Sequence, residues 1–489
     1  MRNRGKWNSL LIGAAALAVI GVGVNTSVQA AQKPSRPVAG AFCTQDNDTE
    51  ETSVPHTGEE QIQVTEVTAT AQAEVAPAEQ PAEQPAQQEV SSDDLLAQAD
   101  LRAAQYDYDG AMSLLQNAEG YDGNTEYQTA VAGYQAQKDA CVEYPIDQVG
   151  HIFYHTLIKD TSKAFDGDAK EAGYNQVMTT ISEFNSITQQ MYDRGYVMVS
   201  LHDMCQVNED GTVTPKKLYL PEGKKPFVLS QDDVSYYHYM DGDGFAQKLI
   251  VTENGEVKNT YIEDDGSISI GDYDMVPLID TFVKEHPDFA YHGHKGILAL
   301  TGYEGVLGYR TDEVYKTREE SRLTDFQRKF FADNPDFDYD ADVAAATEVA
   351  NAMKANGWEF ASHTWGHINP LGYGYDKTVT DTERWLGYVA PIVGSTDVLI
   401  YAFGADIGDW QPYTHDNQFF DYLKGQGFNI YCNVDGSTLA WVQFGNDYMR
   451  QGRMNLDGYR MYYNPDIVSP LFDVSQAWDS SRPTPVPEM

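Results

Sequence analysis

Short apolar segments alternate with amphipathic helical segments from about residue 149 to residue 463, and this alternation constrains the fold more than any other feature. A short apolar segment bounded by turn residues predicts a buried strand, and apolar residues at helical spacing predict the helix that follows it. Strands that alternate with helices form parallel sheets with right-handed crossovers. The sequence therefore predicts an α/β fold, either an open doubly wound sheet or a closed barrel.

The predicted elements can be placed along the chain from these patterns. A capping box, Thr180 to Glu183, predicts the start of one helix, and Gly195 its end. The pairs Asn254-Gly255 and Asp265-Gly266 predict hairpins in an insertion, and residues 309–340 form a long charged insertion. The other predicted helices are 275–285, 342–356, 379–393 and 417–426, and the predicted strands are 151–157, 196–201, 227–229, 296–300, 358–362, 398–403 and 429–434.

Two adjacent carboxylates end one of these strands, and two histidines follow another. Asp232 and Asp233 come after the strand 227–229, and His363 and His367 come after the strand 358–362. The carboxyl ends of strands are where α/β folds place their chemistry. One carboxylate and two imidazoles make a three-ligand metal site with an open position, which leaves the second carboxylate to act as a base. These donors suit zinc, and nickel, cobalt or another divalent ion stays open.

The same residues carry a resemblance to a known family. Ser230-Gln-Asp-Asp-Val234 resembles the T-F-D-D motif, and His363-Thr-Trp-Gly-His367 the H-[ST]-x-x-H motif, of the NodB-homology polysaccharide deacetylases, carbohydrate esterase family 4. The resemblance runs from about Val149 to about Tyr463 and implies a distorted (β/α) barrel of about seven strands. It also implies metal-dependent hydrolysis of N-acetyl groups from an amino-sugar polysaccharide, with peptidoglycan and a secreted polymer both open. The residues that it assigns are Asp232 as general base and Asp233, His363 and His367 as ligands, most readily of zinc.

The strand 398–403 resembles the third motif of the family, in which the backbone amide of an aromatic residue helps to bind the oxyanion. Phe403 is the matching residue, although Ala402 stands where the family usually has proline. The alternative is that Phe403 is a core aromatic residue at a strand end. The segment Asp406-Ile-Gly-Asp-Trp410 has the letters of the fourth motif but follows too closely along the chain.

Two further departures concern the reaction itself. Gln231 replaces the usual phenylalanine before the aspartates, and no histidine follows His415, so the C-terminal histidine that supplies the general acid in the family has no match. His155, at the end of the first strand, is a candidate acid, or else a structural strand-end histidine. The polar cluster from Arg453 to Arg460 either orients Asp232 or forms a salt-bridged hairpin.

These departures leave two rivals to the deacetylase. One is a carbohydrate-binding pseudoenzyme that keeps the fold without turnover. The other, a glycoside hydrolase with paired carboxylates, is disfavoured because adjacent aspartates are poorly placed to flank a glycosidic bond from opposite sides. Aromatic side chains that could stack on sugar rings in either a deacetylase or a pseudoenzyme are Trp365, Tyr236, Tyr237 and Trp410, although core packing explains any one of them equally well.

The N-terminal residues have the composition of targeting and spacer segments. Residues 1–30 combine a basic start, an apolar run and a small-residue cleavage site, which predicts a signal peptide. The alternative is an uncleaved anchor, but the run is shorter than the roughly 20 residues that span a bilayer, which favours cleavage. Residues 31–91, rich in Pro, Glu, Gln and Ala, predict a disordered linker. We therefore expect a protein that is secreted, or associated with the cell surface or cell wall.

The apolar spacing of residues 92–115 and 125–140 predicts a tetratricopeptide-like helical hairpin within residues 92–143. A single such unit does not bury its own apolar face. It therefore either contacts a protein partner or caps the deacetylase domain, which we predict for residues 148–480, with a tail at 481–489.

Composition argues against other classes of protein. The chain has 33 basic and 74 acidic residues, a net charge of -41, so it would be repelled by a nucleic-acid backbone. The four cysteines, Cys43, Cys141, Cys205 and Cys432, are too scattered for a disulfide framework or a cysteine metal site, although one pair could still form a bridge. Stability must therefore come mainly from a buried core.

Overall fold

Seven parallel strands close into a barrel in the computed structural model, which describes residues 92–488. The predicted signal peptide and linker lie outside these residues. Each strand pairs with the next along the chain, and the last pairs with the first. The α/β barrel of about seven strands is thus confirmed, and the open sheet is excluded. The strands are β1 (Gly150–Tyr154), β2 (Lys225–Asp232), β3 (Ile297–Leu300), β4 (Glu359–Ser362), β5 (Val398–Ile400), β6 (Ile430–Val434) and β7 (Met449–Asn455).

Alternate residues of each strand face the barrel interior or the outer helices. Val228, Ile297 and Val398 belong to an apolar cluster that fills the interior. Leu229 and Leu298, each one position further along, belong to a larger cluster that includes side chains of the outer helices. This alternation matters for the site, because it decides which polar residues of each strand lie inside the barrel.

The helices of eight or more residues include three at the N-terminus and others that surround the barrel. The predicted capping box is present, since Thr180 and Glu183 bond reciprocally at the start of one helix, and Gly195, at φ +81°, follows its end. These helices are α1 (Ser92–Ala104), α2 (Tyr108–Gln116), α3 (Thr125–Asp139), α4 (Ile181–Asp193), α5 (Met275–Glu285), α6 (Asp325–Asp333), α7 (Tyr339–Ala355), α8 (Tyr375–Tyr388) and α9 (Gln418–Gly425). Shorter helices are Thr161–Ala164, Glu171–Val177, Leu201–Met204, Glu313–Thr317, Pro370–Tyr373, Ala390–Val393, Gly458–Tyr463, Pro465–Val468 and Val474–Ala477.

Two insertions interrupt the alternation of strands and helices. The predicted hairpins form a three-stranded antiparallel sheet, with turns at both predicted Asx-Gly pairs. The charged insertion contains α6 and its own small aromatic cluster. The strands of the antiparallel sheet are Lys248–Val251, Val257–Ile262 and Ile268–Gly271; the remaining short strands are Cys141–Tyr144, Tyr196–Met198, Cys205–Val207, Val213–Pro215, Leu218–Pro221 and Val442–Phe444.

The N-terminal region contains three helices, where the apolar spacing predicted two. The first predicted helix is broken at Tyr106, which adopts φ +65°, and its ring is buried. The three helices share a cluster with Val197 and Leu220 of the following domain, and the Tyr106 hydroxyl donates to the Asp288 carbonyl at 2.8 Å. The helices therefore pack on the domain, and a protein contact through them stays a prediction.

The last residues also pack against the barrel layer. Arg482, in the predicted tail, forms a fully buried ion pair with Glu183 of α4. Cys141, Cys205 and Cys432 are free thiols, so the described residues contain no disulfide. Among the same residues, no helix is both long and apolar enough to cross a membrane.

Candidate active site

The predicted site residues meet at the carboxyl-end mouth of the barrel. They line one cavity of about 40 Å³, room for about three water molecules. Its lining contains the five site residues predicted from the sequence and two further candidates: Asp232, Asp233, His363, His367 and Phe403, with His155 and Arg453.

A turn in the backbone brings both adjacent aspartates to this cavity. Successive residues of a strand point to opposite faces, so two neighbouring carboxylates share a site only where the strand ends. Asp232 is the last residue of β2, and Asp233 adopts the left-handed conformation at φ +62°. The amide of Asp233 donates to the Ala299 carbonyl of β3 at 3.1 Å. The positive φ is the strain that brings Asp233 to the cavity beside Asp232.

Asp233, His363 and His367 form a buried triad whose ligand atoms lie within 4.8 Å of one another. The His363 Nδ1–H donates to the Ile400 carbonyl at 2.8 Å, which leaves Nε2 with a lone pair for a ligand. His367 Nε2 lies 3.7 Å from Asp233 Oδ2, while its Nδ1 has no partner among the described residues. Burial lowers the pKa of both histidines, that of His367 to about 4.

This donor set fits a divalent ion such as zinc. Metal ligation requires neutral imidazoles, which burial favours here, and a carboxylate that has no other cation beside it. Burial raises the pKa of Asp233, and its Oδ1 accepts a hydrogen bond from the Tyr237 hydroxyl at 3.0 Å. The structure thus brings together the three residues that the sequence proposed as ligands.

Asp232 has different partners, although it is directly adjacent to Asp233 in the sequence. Its two oxygens accept parallel hydrogen bonds from the guanidinium of Arg453, at 2.8 and 2.9 Å. Burial alone would raise the pKa of Asp232, but the positive charge of Arg453 outweighs it and lowers the pKa to about 2. Of the two interpretations of the polar cluster on β7, orientation of Asp232 is therefore the one that the structure confirms.

The loop that carries both histidines is held by Asp381 of α8. The buried carboxylate of Asp381 accepts hydrogen bonds from the amides of Trp365 and Gly366 at 2.6 and 2.8 Å. Thr364 and His367 adopt positive φ angles of 62° and 50°. Asp381 fixes the strained loop that sets the spacing of the two imidazoles. Sequence reasoning missed it, because an aspartate on an amphipathic helix is typical of a solvated face.

Phe403 lies in a tight turn after β5, at φ +57°, so the predicted strand 398–403 ends earlier, at Ile400. Its ring packs edge-on against the His367 ring, with 4.3 Å between centroids. Its role toward an oxyanion stays a prediction. The Asp406–Trp410 segment is absent from the described lining of the cavity; its Asp406 pairs instead with buried Arg450 at 2.6 Å.

His155 follows β1 at the edge of the cavity. Its Nδ1 lies 3.2 Å from the Val177 carbonyl, so that nitrogen carries the proton and donates. Gln231, the departure from the family pattern, donates to the His155 carbonyl at 3.3 Å and to buried Asp274 at 2.7 Å. The glutamine therefore ties the end of β1 to β2, a contact that a phenylalanine would not make.

Burial bears on the predicted sugar contacts of two tyrosines. Tyr236 and Tyr237 are 2% and 1% exposed, and their hydroxyls donate to Asp274 and Asp233. These two tyrosines support the site from within the core. Their burial favours core packing over stacking on a sugar ring, although Tyr237 also lines the cavity. Trp365 is half-buried beneath the guanidinium of Arg384, 3.2 Å from its ring centroid.

Comparison with known proteins gives little further information. No family model and no curated protein matches the chain. Among solved structures, the deacetylase PplD of Streptococcus pyogenes in complex with acetate is similar over 65% of this chain and 94% of its own, at 12% identity and a TM-score of 0.33. A TM-score of 0.33 is too low to transfer a fold or an activity.

Proposed function

We propose that the protein is a metal-dependent deacetylase of the NodB-homology type, which hydrolyses N-acetyl groups of an amino-sugar glycan outside the cell. The observation that carries the proposal is the pairing, in one buried cavity, of a three-ligand set with a separate carboxylate held by Arg453. Amide hydrolysis needs both parts, a polarising cation and a base. The motif resemblance supplies the substrate class.

Asp233, His363 and His367 would hold the ion. A divalent ion there supplies Lewis-acid polarisation of the amide carbonyl and lowers the pKa of water. Tyr237 fixes one oxygen of Asp233, and the Ile400 carbonyl fixes the tautomer of His363. These two hydrogen bonds keep the ligand atoms aimed at one point.

Asp232 is the proposed general base. The Arg453 fork keeps its carboxylate ionised and in one orientation, so it is ready to take a proton from the attacking water. The hydroxide oxygen then forms a bond to the acetyl carbonyl carbon, and the carbon–nitrogen bond breaks. The Phe403 amide is the proposed donor to the oxyanion of the tetrahedral intermediate.

His155 is the proposed general acid. The proton of its Nδ1 is committed to the Val177 carbonyl, so Nε2 is the atom that would give a proton to the leaving amine. This assignment fills the role that the missing C-terminal histidine leaves open. The pseudoenzyme interpretation, motivated by the missing acid and the altered third motif, stays the alternative.

Acetate release from a panel of N-acetylated glycans, with zinc-loaded protein, tests the proposal. We expect acetate to accumulate while the glycan chains keep their length. Shortened chains would indicate a glycoside hydrolase, and binding without acetate from any glycan would indicate a pseudoenzyme. His155→Gln is a matched variant, because it leaves the three ligands in place and should release acetate at least about 10-fold more slowly.

A further inference from the structure

A buried polar chain lies inside the barrel directly below the Asp232–Arg453 pair. Its members are His151 of β1, Ser230 of β2 and Gln451 of β7, and each is 0% exposed. They occupy inward positions, two residues before Phe153, Asp232 and Arg453 respectively. The neighbouring strands fill the interior with apolar residues such as Ala299 and Ile400. Polar groups at this depth cost free energy unless every hydrogen bond is made.

The direction of each hydrogen bond in this buried polar chain can be deduced by starting at the end that lies furthest from Asp232. The Val149 carbonyl only accepts, and it lies 3.0 Å from Gln451 Nε2, so the amide nitrogen faces it and Oε1 faces His151. His151 Nδ1, 3.1 Å from Oε1, must therefore carry the proton and donate. Burial lowers the pKa of His151 well below its usual value, so the ring is neutral and Nε2 accepts.

The remaining two bonds follow from that tautomer. Ser230 Oγ lies 2.9 Å from His151 Nε2 and donates its proton to it. The lone pairs of Ser230 Oγ are then turned toward Arg453 Nη1, at 3.2 Å. The same Nη1 donates to Asp232 Oδ1 at 2.8 Å. Each of these hydrogen bonds thus has one defined direction, and the series ends on the proposed base.

We propose that His151, Ser230 and Gln451 are positioning residues that hold the guanidinium of Arg453, and through it Asp232, in a single orientation. The catalytic consequence depends on the proposed function, whereas the hydrogen-bond chain itself does not. Ser230 is the residue that contacts Arg453 directly. Arg453 Nη1 donates to two acceptors, the Ser230 hydroxyl and the Asp232 carboxylate. Neutral His151 sets the direction of that hydroxyl.

Nitrogen NMR of the metal-free protein tests the chain without any substrate. We expect His151 to show a protonated Nδ1 and a bare Nε2, and the Arg453 Nη protons to show hindered rotation that Ser230→Ala relieves. A His151 that carries its proton on Nε2, or Arg453 signals unchanged in Ser230→Ala, would overturn the inference. Failure of deacetylation in the wild type would instead refute only the proposed function.

Kinetics test the positioning role, with Val228→Ala as the matched control. Val228 is the inward residue of β2 one step below Ser230, and its cluster is wholly apolar. We expect Ser230→Ala to lower kcat about 10-fold, because Asp232 loses its fixed orientation. KM and metal content should stay unchanged, because the contacts to the substrate and to the metal are kept. Val228→Ala should lower the melting temperature at least as much and leave kcat unchanged. Equal kcat in the two variants would refute a positioning role.

Discussion

Replacing Arg453 tests how strongly the guanidinium holds the proposed base. The pKa of Asp232 is lowered from 3.8 to about 2 although burial opposes this, which corresponds to about 2.5 kcal/mol in favour of the ionised form. Arg453→Met leaves that charge buried without a partner, and we expect a loss of roughly 3 to 5 kcal/mol in the free energy of unfolding. Adding Asp232→Asn removes the unpaired charge, and should recover part of that loss.

The assay is a double-mutant cycle. Urea unfolding of the four proteins is measured at pH 7 in the presence of a chelator, so that metal binding does not contribute to stability. A coupling between Arg453 and Asp232 below about 0.5 kcal/mol would refute the reasoning. The pKa of Asp232 is lower in the folded state than in the unfolded state. Its contribution to the free energy of unfolding is therefore present above about pH 3.8 and is lost as the pH falls toward 2. The excess stability of the wild type over Arg453→Met should therefore shrink in that interval.

Arg450→Met is the matched control for the same experiment. Arg450 lies three residues earlier on β7 and faces away from the barrel interior, where it forms a buried pair with Asp406. Its replacement should destabilise the protein by a similar amount, because it also leaves an aspartate unpaired. Only Arg453→Met should also lower kcat of the folded protein. A comparable loss of kcat in both variants would mean that the effect is general destabilisation.

Three further outcomes are expected. Asp381→Ala should weaken metal binding about 10- to 100-fold, because the histidine loop loses its carboxylate clamp, and calorimetric titration with zinc measures this; unchanged affinity would contradict it. The hydrogen bond that His202 donates to Asp397 raises the pKa of His202 to about 10, so stability from this pair is full below about pH 6.5 and lost as the pH rises through 10. His202→Gln should therefore cost about 1 kcal/mol at pH 6, since the pair is part-exposed, and nothing above pH 10. His155→Gln should slow release of acetate from an amide much more than from a nitrophenyl ester, whose leaving group needs no proton, and equal slowing would exclude His155 as the acid.

The sequence predicts the fold class because its apolar segments are short and separated by helical spacing. Closure of the barrel depends on the pairing of β7 with β1, about 300 residues apart, and local periodicity contains no information about that contact. The resemblance to the family selected the barrel, and the structure bears this out. The break at Tyr106 was not predicted, since a single residue in the left-handed conformation interrupts helical spacing without changing the pattern of apolar residues.

The sequence likewise predicts some residues of the candidate site and not others. The four residues of the two motifs were predictable, because each pair follows a recognisable strand. Arg453 was identified only as one member of a polar cluster, since its bond to Asp232 spans 221 positions. Asp381 looked like a surface charge, and His151 and Ser230 like incidental polar residues of strands. Inward-facing polar residues beside apolar neighbours such as Ile152 and Leu229 are the signal that could have found the last two.

The central claim is that Asp233, His363 and His367 bind a metal while Asp232 acts as base. Metal content and acetate release, measured on the same samples of wild type, Asp232→Asn and Asp233→Asn, test it most directly. We expect about one ion per chain in the wild type and in Asp232→Asn, with turnover of Asp232→Asn lowered about 100-fold or more, and loss of both metal and activity in Asp233→Asn. Metal lost from Asp232→Asn but retained by Asp233→Asn would contradict it.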